Sequence, residues 1–97
     1  MTKPLCLTTV QDLRRQVAQW RSEGLRIALV PTMGALHEGH LSLVRRARQD
    51  ADRIIVSIFV NPTQFAPSED FGSYPRTFDR DLMLLEEEKA EAVYAPR

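Results

Sequence analysis

The sequence predicts an α/β fold in which helices cover both faces of a parallel sheet, giving three layers. The first indication is residues 53–60, which are apolar almost throughout, as strands in the middle of a parallel sheet are. The second is the alternation of strand-like and helix-like segments, which predicts right-handed strand–helix–strand crossovers. The third is a glycine-bearing turn at residues 31–40 that joins a strand to a helix, an arrangement typical of phosphate sites.

The chain begins with a predicted strand and a predicted helix. Residues 5–7 form a short apolar strand, and Thr8 and Thr9 offer N-caps for a helix that Gly24 ends. The apolar residues of this helix recur at helical spacing: Val10, Leu13, Val17 and Trp20.

The middle of the chain predicts one complete crossover. A buried strand at residues 26–30 precedes the turn, and an amphipathic helix begins near Gly39 and extends to about Asp50. Residues 53–60 then return as the third strand. Because ligands of parallel sheets lie beyond the carboxyl ends of the strands, we expect the turn at 31–40 and the loop after residue 60 to lie side by side.

The last third of the chain predicts a long loop, a helix and a strand. Residues 61–77 are rich in turn formers, and a connection of this length is more often a binding loop than a simple link. Thr77 or Asp79 can cap the next helix, which extends to Glu91. Residues 92–95 predict a final strand.

Composition restricts the partners of this chain. Its 97 residues include 13 basic and 13 acidic side chains, so the formal net charge is zero. That balance argues against nucleic acid or a membrane surface as a partner and favours a small molecule. We expect neither a signal peptide nor a membrane span, since no apolar run is long enough. Cys6 is the single cysteine, so no internal disulfide can form, and we expect a cytoplasmic location.

The turn at residues 31–40 carries groups that can stabilise the negative charge that develops during a reaction. N–H groups in the first turn of a helix lack internal partners, so we expect them to bind an anion. The spacing of His37 and His40 lets both imidazoles face one bound group. Gly34 and Gly39 would allow a sharp turn and a close approach to the ligand. Two imidazoles beside free N–H donors suit the negative charge that grows on the oxygens of a phosphate under attack, so the turn predicts nucleotidyl transfer.

Other interpretations of the two histidines stay open at this point. A zinc site is disfavoured, because zinc needs three or four ligands and the only other soft ligand, Cys6, is a full strand away. Each imidazole could instead be structural and satisfied by a backbone carbonyl. We interpret Glu38 as a first-turn acid of the helix rather than as a general base.

Three blocks of sequence resemble one known family. In order, they are residues 31–40 (PTMGALHEGH), residues 56–65 (VSIFVNPTQF) and residues 74–77 (YPRT). Together they closely resemble the pantothenate synthetase (pantoate–β-alanine ligase) family, and the resemblance covers nearly the whole chain from the first helix onward. A lone His-x-Gly-His is shared by many nucleotidyltransferases, whereas the three blocks together are highly specific.

The resemblance implies a Rossmann-like nucleotidyltransferase domain and a two-step reaction. The carboxylate of pantoate attacks the α-phosphorus of ATP and pyrophosphate leaves, after which the amine of β-alanine displaces AMP. Magnesium would accompany the ATP. The chain itself is expected to supply no metal ligand.

The resemblance also implies roles for individual residues. His40 takes the position of the catalytic histidine, with His37 beside it on the phosphates. Gln64 matches the position that binds pantoate and β-alanine, with Asn61 and Pro31 lining that pocket. Tyr74 and Arg76 are interpreted as loop anchors. The ATP-binding segment comprises Met33, Gly34, Ala35, Leu36, His37, Glu38, Gly39 and His40.

Members of this family are much longer than this chain. They carry a second nucleotide-contacting motif and a smaller carboxy-terminal domain, so residues 1–97 are expected to form a single, truncated nucleotidyltransferase domain. A sheet cut after its last strand would expose apolar surface, and we therefore expect a homodimer or a strand-exchanged oligomer. The alternative function is that of a non-catalytic fragment that binds nucleotide or self-associates.

Overall fold

The computed structural model describes residues 3–59 and 74–96, and the side chains of all of these except residues 74–77. Within those ranges, strands and helices alternate, and all the strand pairs are parallel in the order β1-β4-β3-β2. The predicted α/β fold is therefore confirmed. The elements are β1 (Leu5–Leu7), α1 (Val10–Ser22), β2 (Ile27–Thr32), α2 (Glu38–Asp50), β3 (Arg53–Ile58), α3 (Tyr74–Glu87) and β4 (Ala92–Tyr94).

The core lies on both faces of β3, which is an inner strand of the sheet. On one face, Ile54, Val56 and Ile58 are fully buried in a cluster that includes Val44 of α2 and Leu85 of α3. On the other face, Ile55 packs in a second cluster with Trp20 of α1 and with residues of the outer strands. The sheet therefore lies between one layer formed by α2 and α3 and another formed by α1, as the apolar run of β3 predicts.

The start and end of α1 follow the predicted signals. Thr9 is the N-cap, and its side-chain oxygen accepts a hydrogen bond from the Asp12 N–H at 3.1 Å. Gly24 follows the helix with a φ of +79°, a conformation that glycine adopts without strain.

Strand β2 extends two residues beyond its predicted end. Its register pairs Pro31 with Ser57 and Thr32 with Ile58, and the Phe59 N–H then donates to the Thr32 carbonyl at 3.0 Å. Proline has no N–H to donate, but β2 is an edge strand of the described sheet, where that loss is tolerated. The turn consequently begins after Thr32. Strand β3 ends at Ile58, and the predicted end at Val60 lies outside the described residues.

The predicted bounds of α3 are wrong at both ends. The helix begins at Tyr74 rather than after a cap at Thr77 or Asp79, and Pro75 is compatible with the first turn because it needs no partner for an N–H. Tyr74 and Arg76 accordingly belong to the first turn of α3 rather than to a loop. The helix ends at Glu87, because the backbone turns through a left-handed Lys89 with φ +62°.

Strand β4 ends one residue before its predicted limit, at Tyr94, although the Ala95 N–H still donates to the Leu7 carbonyl at 2.8 Å. None of the helices that the structure describes is both long enough and apolar enough to cross a membrane.

Candidate functional site

The turn between β2 and α2 reverses direction through two left-handed residues. Gly34 has a φ of +89° and Ala35 a φ of +52°. Glycine adopts this conformation readily, whereas for alanine it costs about 1–2 kcal/mol. The Thr32 hydroxyl is buried at the start of the turn, where it donates to the Ser57 carbonyl at 2.9 Å and accepts from the Gly34 N–H at 3.3 Å. Thr32 therefore joins β3 to the turn, a role that the sequence alone does not reveal.

A buried carboxylate from α3 holds the same turn. Asp81 is 0% exposed, its Oδ2 accepts from the Ala35 N–H, and its Oδ1 accepts from the Leu36 N–H, both at 2.9 Å. The neighbouring Arg80 donates from Nη1 to the Leu36 carbonyl at 3.0 Å. Sequence reasoning missed Asp81, although one signal was present: it lies four residues before Leu85 and so shares the core-facing side of α3.

The two histidines form a reciprocal cap at the start of α2. His37 is the N-cap, and its Nδ1 accepts from the Gly39 N–H at 3.0 Å. The Nδ1 of His40 accepts from the His37 N–H at 3.1 Å. Their ring centroids lie 4.2 Å apart with the planes at 46°. The three-residue spacing thus brings the rings together as predicted, and imidazoles take the positions that serine and glutamate occupy in the usual capping box.

These hydrogen bonds fix which ring nitrogen carries the proton. A neutral imidazole has one donor and one acceptor nitrogen, so a ring that accepts at Nδ1 bears its hydrogen on Nε2. His37 is exposed and His40 half-buried, so each can donate Nε2–H to a ligand. The purely structural alternative assumed contacts with backbone carbonyls, whereas the Nδ1 atoms of both rings accept from backbone N–H groups.

The environment of His40 favours its neutral form. Burial lowers the pKa of His40 below its ordinary value, the nearby His37 lowers that pKa further, and the carboxylate of Asp81 opposes both. Protonation at Nδ1 would also break the hydrogen bond from the His37 N–H. A lowered pKa favours the neutral imidazole, so at neutral pH His40 is a hydrogen-bond donor through Nε2–H.

The structure corrects the expectation that the amides of this turn are unpaired. The Gly39 N–H is taken by His37, and those of Ala35 and Leu36 are taken by Asp81. Gly39 itself is helical, so it does not form a sharp turn; its missing Cβ instead leaves room for the ring of His37. A Cβ there would lie 2.8 Å from Cε1 and 3.1 Å from Nδ1 of His37. The donors left for a ligand by this arrangement are the ring nitrogens rather than those amides.

The other predicted site residues differ in what they can reach. Leu36 is buried in the core, so its side chain serves packing. Glu38 is exposed and forms an ion pair with Arg45, as befits a first-turn acid. Met33 and Pro31 are exposed at the carboxyl end of β2, where a ligand could contact them.

Two further predictions concern the substrate pocket and metal binding. Asn61 and Gln64 lie outside the described residues. Among the residues that are described, no group of three or more histidine, cysteine, aspartate or glutamate side chains could hold a metal ion.

Comparison with known proteins identifies one family. The family model described as pantoate-beta-alanine ligase matches residues 5–97. A pantothenate synthetase of Mesorhizobium japonicum is 60% identical over 96 residues, which are 99% of this chain and 34% of that protein. One from Rhodopseudomonas palustris is 57% identical over 93 residues, which are 96% of this chain and 33% of that protein. The chain therefore spans about a third of the length of the curated relatives it matches.

Solved structures agree with this similarity. A pantoate-beta-alanine ligase from Francisella tularensis, complexed with β,γ-ATP and β-alanine, superposes with a TM-score of 0.75 at 34% identity and covers 96% of this chain and 35% of its own. The enzyme from Thermus thermophilus superposes with a TM-score of 0.69 at 43% identity, covering 95% of this chain and 32% of its own.

Proposed function

We propose, from the premise that this chain belongs to the pantoate-beta-alanine ligase family, that it forms the ATP-binding part of a ligase that joins pantoate to β-alanine. One observation carries the proposal: two neutral imidazoles, held by reciprocal capping bonds, present Nε2–H donors at the carboxyl edge of a parallel sheet. In this proposal the strands and helices of residues 1–97 form a single Rossmann-like nucleotidyltransferase domain.

The first step of the proposed reaction is adenylation. A carboxylate oxygen of pantoate attacks the α-phosphorus of ATP, the bond from that phosphorus to the bridging oxygen breaks, and pyrophosphate leaves. Negative charge grows on the non-bridging α-phosphate oxygens, and His37 and His40 donate Nε2–H to them. Because capping fixes both rings before the nucleotide arrives, little reorganisation is needed, which is the condition for strong electrostatic stabilisation.

The second step is acyl transfer. The amine of β-alanine attacks the carboxyl carbon of the pantoyl adenylate, AMP leaves with the bonding electrons, and the nitrogen loses a proton as the amide forms. Adenylation makes this step possible because AMP is a far better leaving group than an oxide. The contribution of the protein here is to position the two reactants.

Substrate recognition is assigned to both loops that follow β2 and β3. Met33, Gly34, Ala35, Leu36, His37, Glu38, Gly39 and His40 form the proposed ATP-binding segment. Gln64, Asn61 and Pro31 form the proposed pocket for pantoate and β-alanine. A glutamine amide can donate to a carboxylate or hydroxyl and accept from an amine, so one side chain can serve both substrates. The β-alanine bound to the Francisella tularensis enzyme supports that substrate.

Several finer features belong to the same proposal. Mg²⁺ accompanies the ATP and neutralises charge on its phosphates. The lone, exposed Cys6 suits a reducing, cytoplasmic compartment. A homodimer or strand-exchanged oligomer is supported by the edge strand β2 and by two exposed apolar side chains near it, Leu29 at 58% and Phe59 at 57%. Size-exclusion chromatography with light scattering checks this, and a strictly monomeric chain would argue against it.

Three measurements test binding and the two reaction steps in turn. Calorimetry with ATP measures binding, pantoate-dependent exchange of pyrophosphate into ATP measures adenylation, and AMP release on adding β-alanine measures the second step. His40→Ala should slow exchange about 10²–10³-fold, as the loss of one oxyanion donor does. Leu43→Ala is the matched control, because Leu43 lies on the same helix and is exposed. Binding without exchange supports the non-catalytic alternative, and a chain that does not bind ATP overturns the proposal.

A further inference from the structure

The turn before the histidine pair contains an anion-binding arrangement that is already filled. Successive backbone N–H groups in turn conformations can form a concave nest for an anion. Here the N–H groups of Ala35 and Leu36 both point to one carboxylate, that of Asp81, at 2.9 Å each. The anion in this nest is therefore part of the protein and comes from α3, 45 residues along the chain from Leu36.

The contact between Asp81 and the turn does more than attach α3 to the sheet. Leu36 and Leu85 already pack in the same apolar cluster, and apolar contact would attach the helix without removing a charge from water. Two hydrogen bonds to successive amides instead fix the orientation of both peptide planes. Arg80 adds a third bond, to the Leu36 carbonyl, so the peptide group between Leu36 and His37 is also held.

The residue that follows this clamp is the N-cap. The conformation at Leu36 sets where the backbone of His37 begins, and His37 in turn holds His40 through the bond from its N–H. Ala35 also adopts its left-handed conformation at a cost, so the turn needs an external partner to retain it.

We propose that Asp81 is a positioning residue of the nucleotide site: its carboxylate holds the peptide planes of Ala35 and Leu36 and thereby aligns His37 and His40 with the bound nucleotide. The identity of the nucleotide as ATP rests on the function proposed above, whereas the alignment of the rings does not. Asp81 also forms an ion pair with Arg80, whose Nη1 lies 3.6 Å from Oδ1. Its effect on the pKa of His40 is outweighed by burial and by His37, so toward the histidine pair it acts through its hydrogen bonds to the turn.

The test compares Asp81→Asn with Asp79→Asn in the 97-residue chain. Both changes replace a carboxylate by an amide on α3, but Asp79 is exposed whereas Asp81 is buried. In Asp81→Asn, one oxygen becomes an NH₂ group, which cannot accept from a backbone N–H. The measurements are ¹⁵N NMR of the histidine rings, which reports the tautomer, calorimetric titration with ATP, and thermal unfolding.

A positioning role and a merely structural role give different results. Positioning predicts that folded Asp81→Asn shows altered signals from both histidine rings and an ATP dissociation constant raised about tenfold or more, since small displacements at such sites are costly. Asp79→Asn should match the parent chain. If Asp81 were purely structural, Asp81→Asn would lower the unfolding temperature. The ring signals and the ATP affinity would then be unchanged at temperatures where the variant is folded, and that result overturns the proposal.

A second variant covers the case in which Asp81→Asn does not fold. Asp81→Glu keeps the charge and both oxygens but places them one methylene farther from the helix, so the rings should move while the fold survives. Parent-like ring signals and ATP affinity in a folded Asp81→Glu would also overturn the proposal. If the parent chain binds no ATP, the proposed function fails, and the ring signals of the Asp81 variants still decide whether Asp81 positions the pair.

Discussion

Gly39→Ala should separate the proposed function of the histidine pair from the stability of the fold. The added Cβ would lie 2.8 Å from Cε1 of His37, closer than side-chain carbons approach other atoms, so the ring must move. Two effects on stability then oppose each other: alanine stabilises a helical position by about 1 kcal/mol relative to glycine, and loss of the His37 cap costs about 1 kcal/mol. We therefore expect the free energy of unfolding to change by less than about 1 kcal/mol.

The effect on chemistry should be much larger. His37 is exposed, so its ring can swing away from the new methyl group without disturbing the core. That movement breaks the bond from the Gly39 N–H and displaces one Nε2–H donor. We expect pantoate-dependent pyrophosphate exchange to fall about 10²-fold or more.

Gly24→Ala is the matched control. Nothing lies within 4 Å of a Cβ at this position, but its φ is +79°. The change should cost about 1–2 kcal/mol of backbone strain, which lowers the unfolding temperature of a domain this size by about 4–8 °C per kcal/mol. Its ATP affinity and exchange rate should equal those of the parent chain at temperatures where it is folded.

Thermal unfolding and the exchange assay, run on both variants, read the two effects separately. A Gly39→Ala variant that keeps full exchange and parent-like His37 signals would refute the inferred role of the ring. So would a Gly24→Ala variant that loses exchange while folded, because the loss could then not be attributed to the contact at Gly39.

Two further predictions concern pH and the core. Because folding lowers the pKa of His40, the unfolded chain binds the proton first on acidification; the free energy of unfolding is therefore highest above about pH 6.5 and falls as the pH drops toward the folded pKa. Chemical denaturation at a series of pH values should show this fall, and His40→Gln, which does not titrate, should reduce it; an equal fall in both proteins would contradict the assignment. Leu85→Ala should destabilise the fold by about 2–5 kcal/mol, since Leu85 is fully buried, whereas Leu43→Ala, at an exposed position, should change stability by less than about 0.5 kcal/mol; equal midpoints of denaturation would contradict this.

Local patterns in the sequence predicted most of the fold. The continuous apolar run of β3 indicated burial on both faces, and the spacing of His37 and His40 indicated that both imidazoles lie on one side of the helix start. Both signals act within a few residues of the chain, where periodicity determines which side chains share a face.

What the sequence did not reveal depends on contacts between distant segments. Asp81 lies on a helix far along the chain from the turn; its spacing from Leu85 indicates the core-facing side of α3, but only the folded sheet brings its carboxylate to the amides of the turn. The sequence also could not show which nitrogen of each ring carries the hydrogen, because this depends on the backbone N–H that each Nδ1 contacts.

The capping role of the two histidines is compatible with their proposed chemical role, because the two roles use different nitrogens. Capping occupies Nδ1 and leaves Nε2–H for a ligand. Capping alone does not require imidazoles, since serine at the N-cap and glutamine three residues later satisfy the same two donors. His37→Ser combined with His40→Gln should therefore keep the unfolding temperature close to that of the parent chain and abolish pyrophosphate exchange. If this double variant retained exchange, the rings would serve only as caps; if it failed to fold, the rings would contribute packing that a conventional capping box cannot replace.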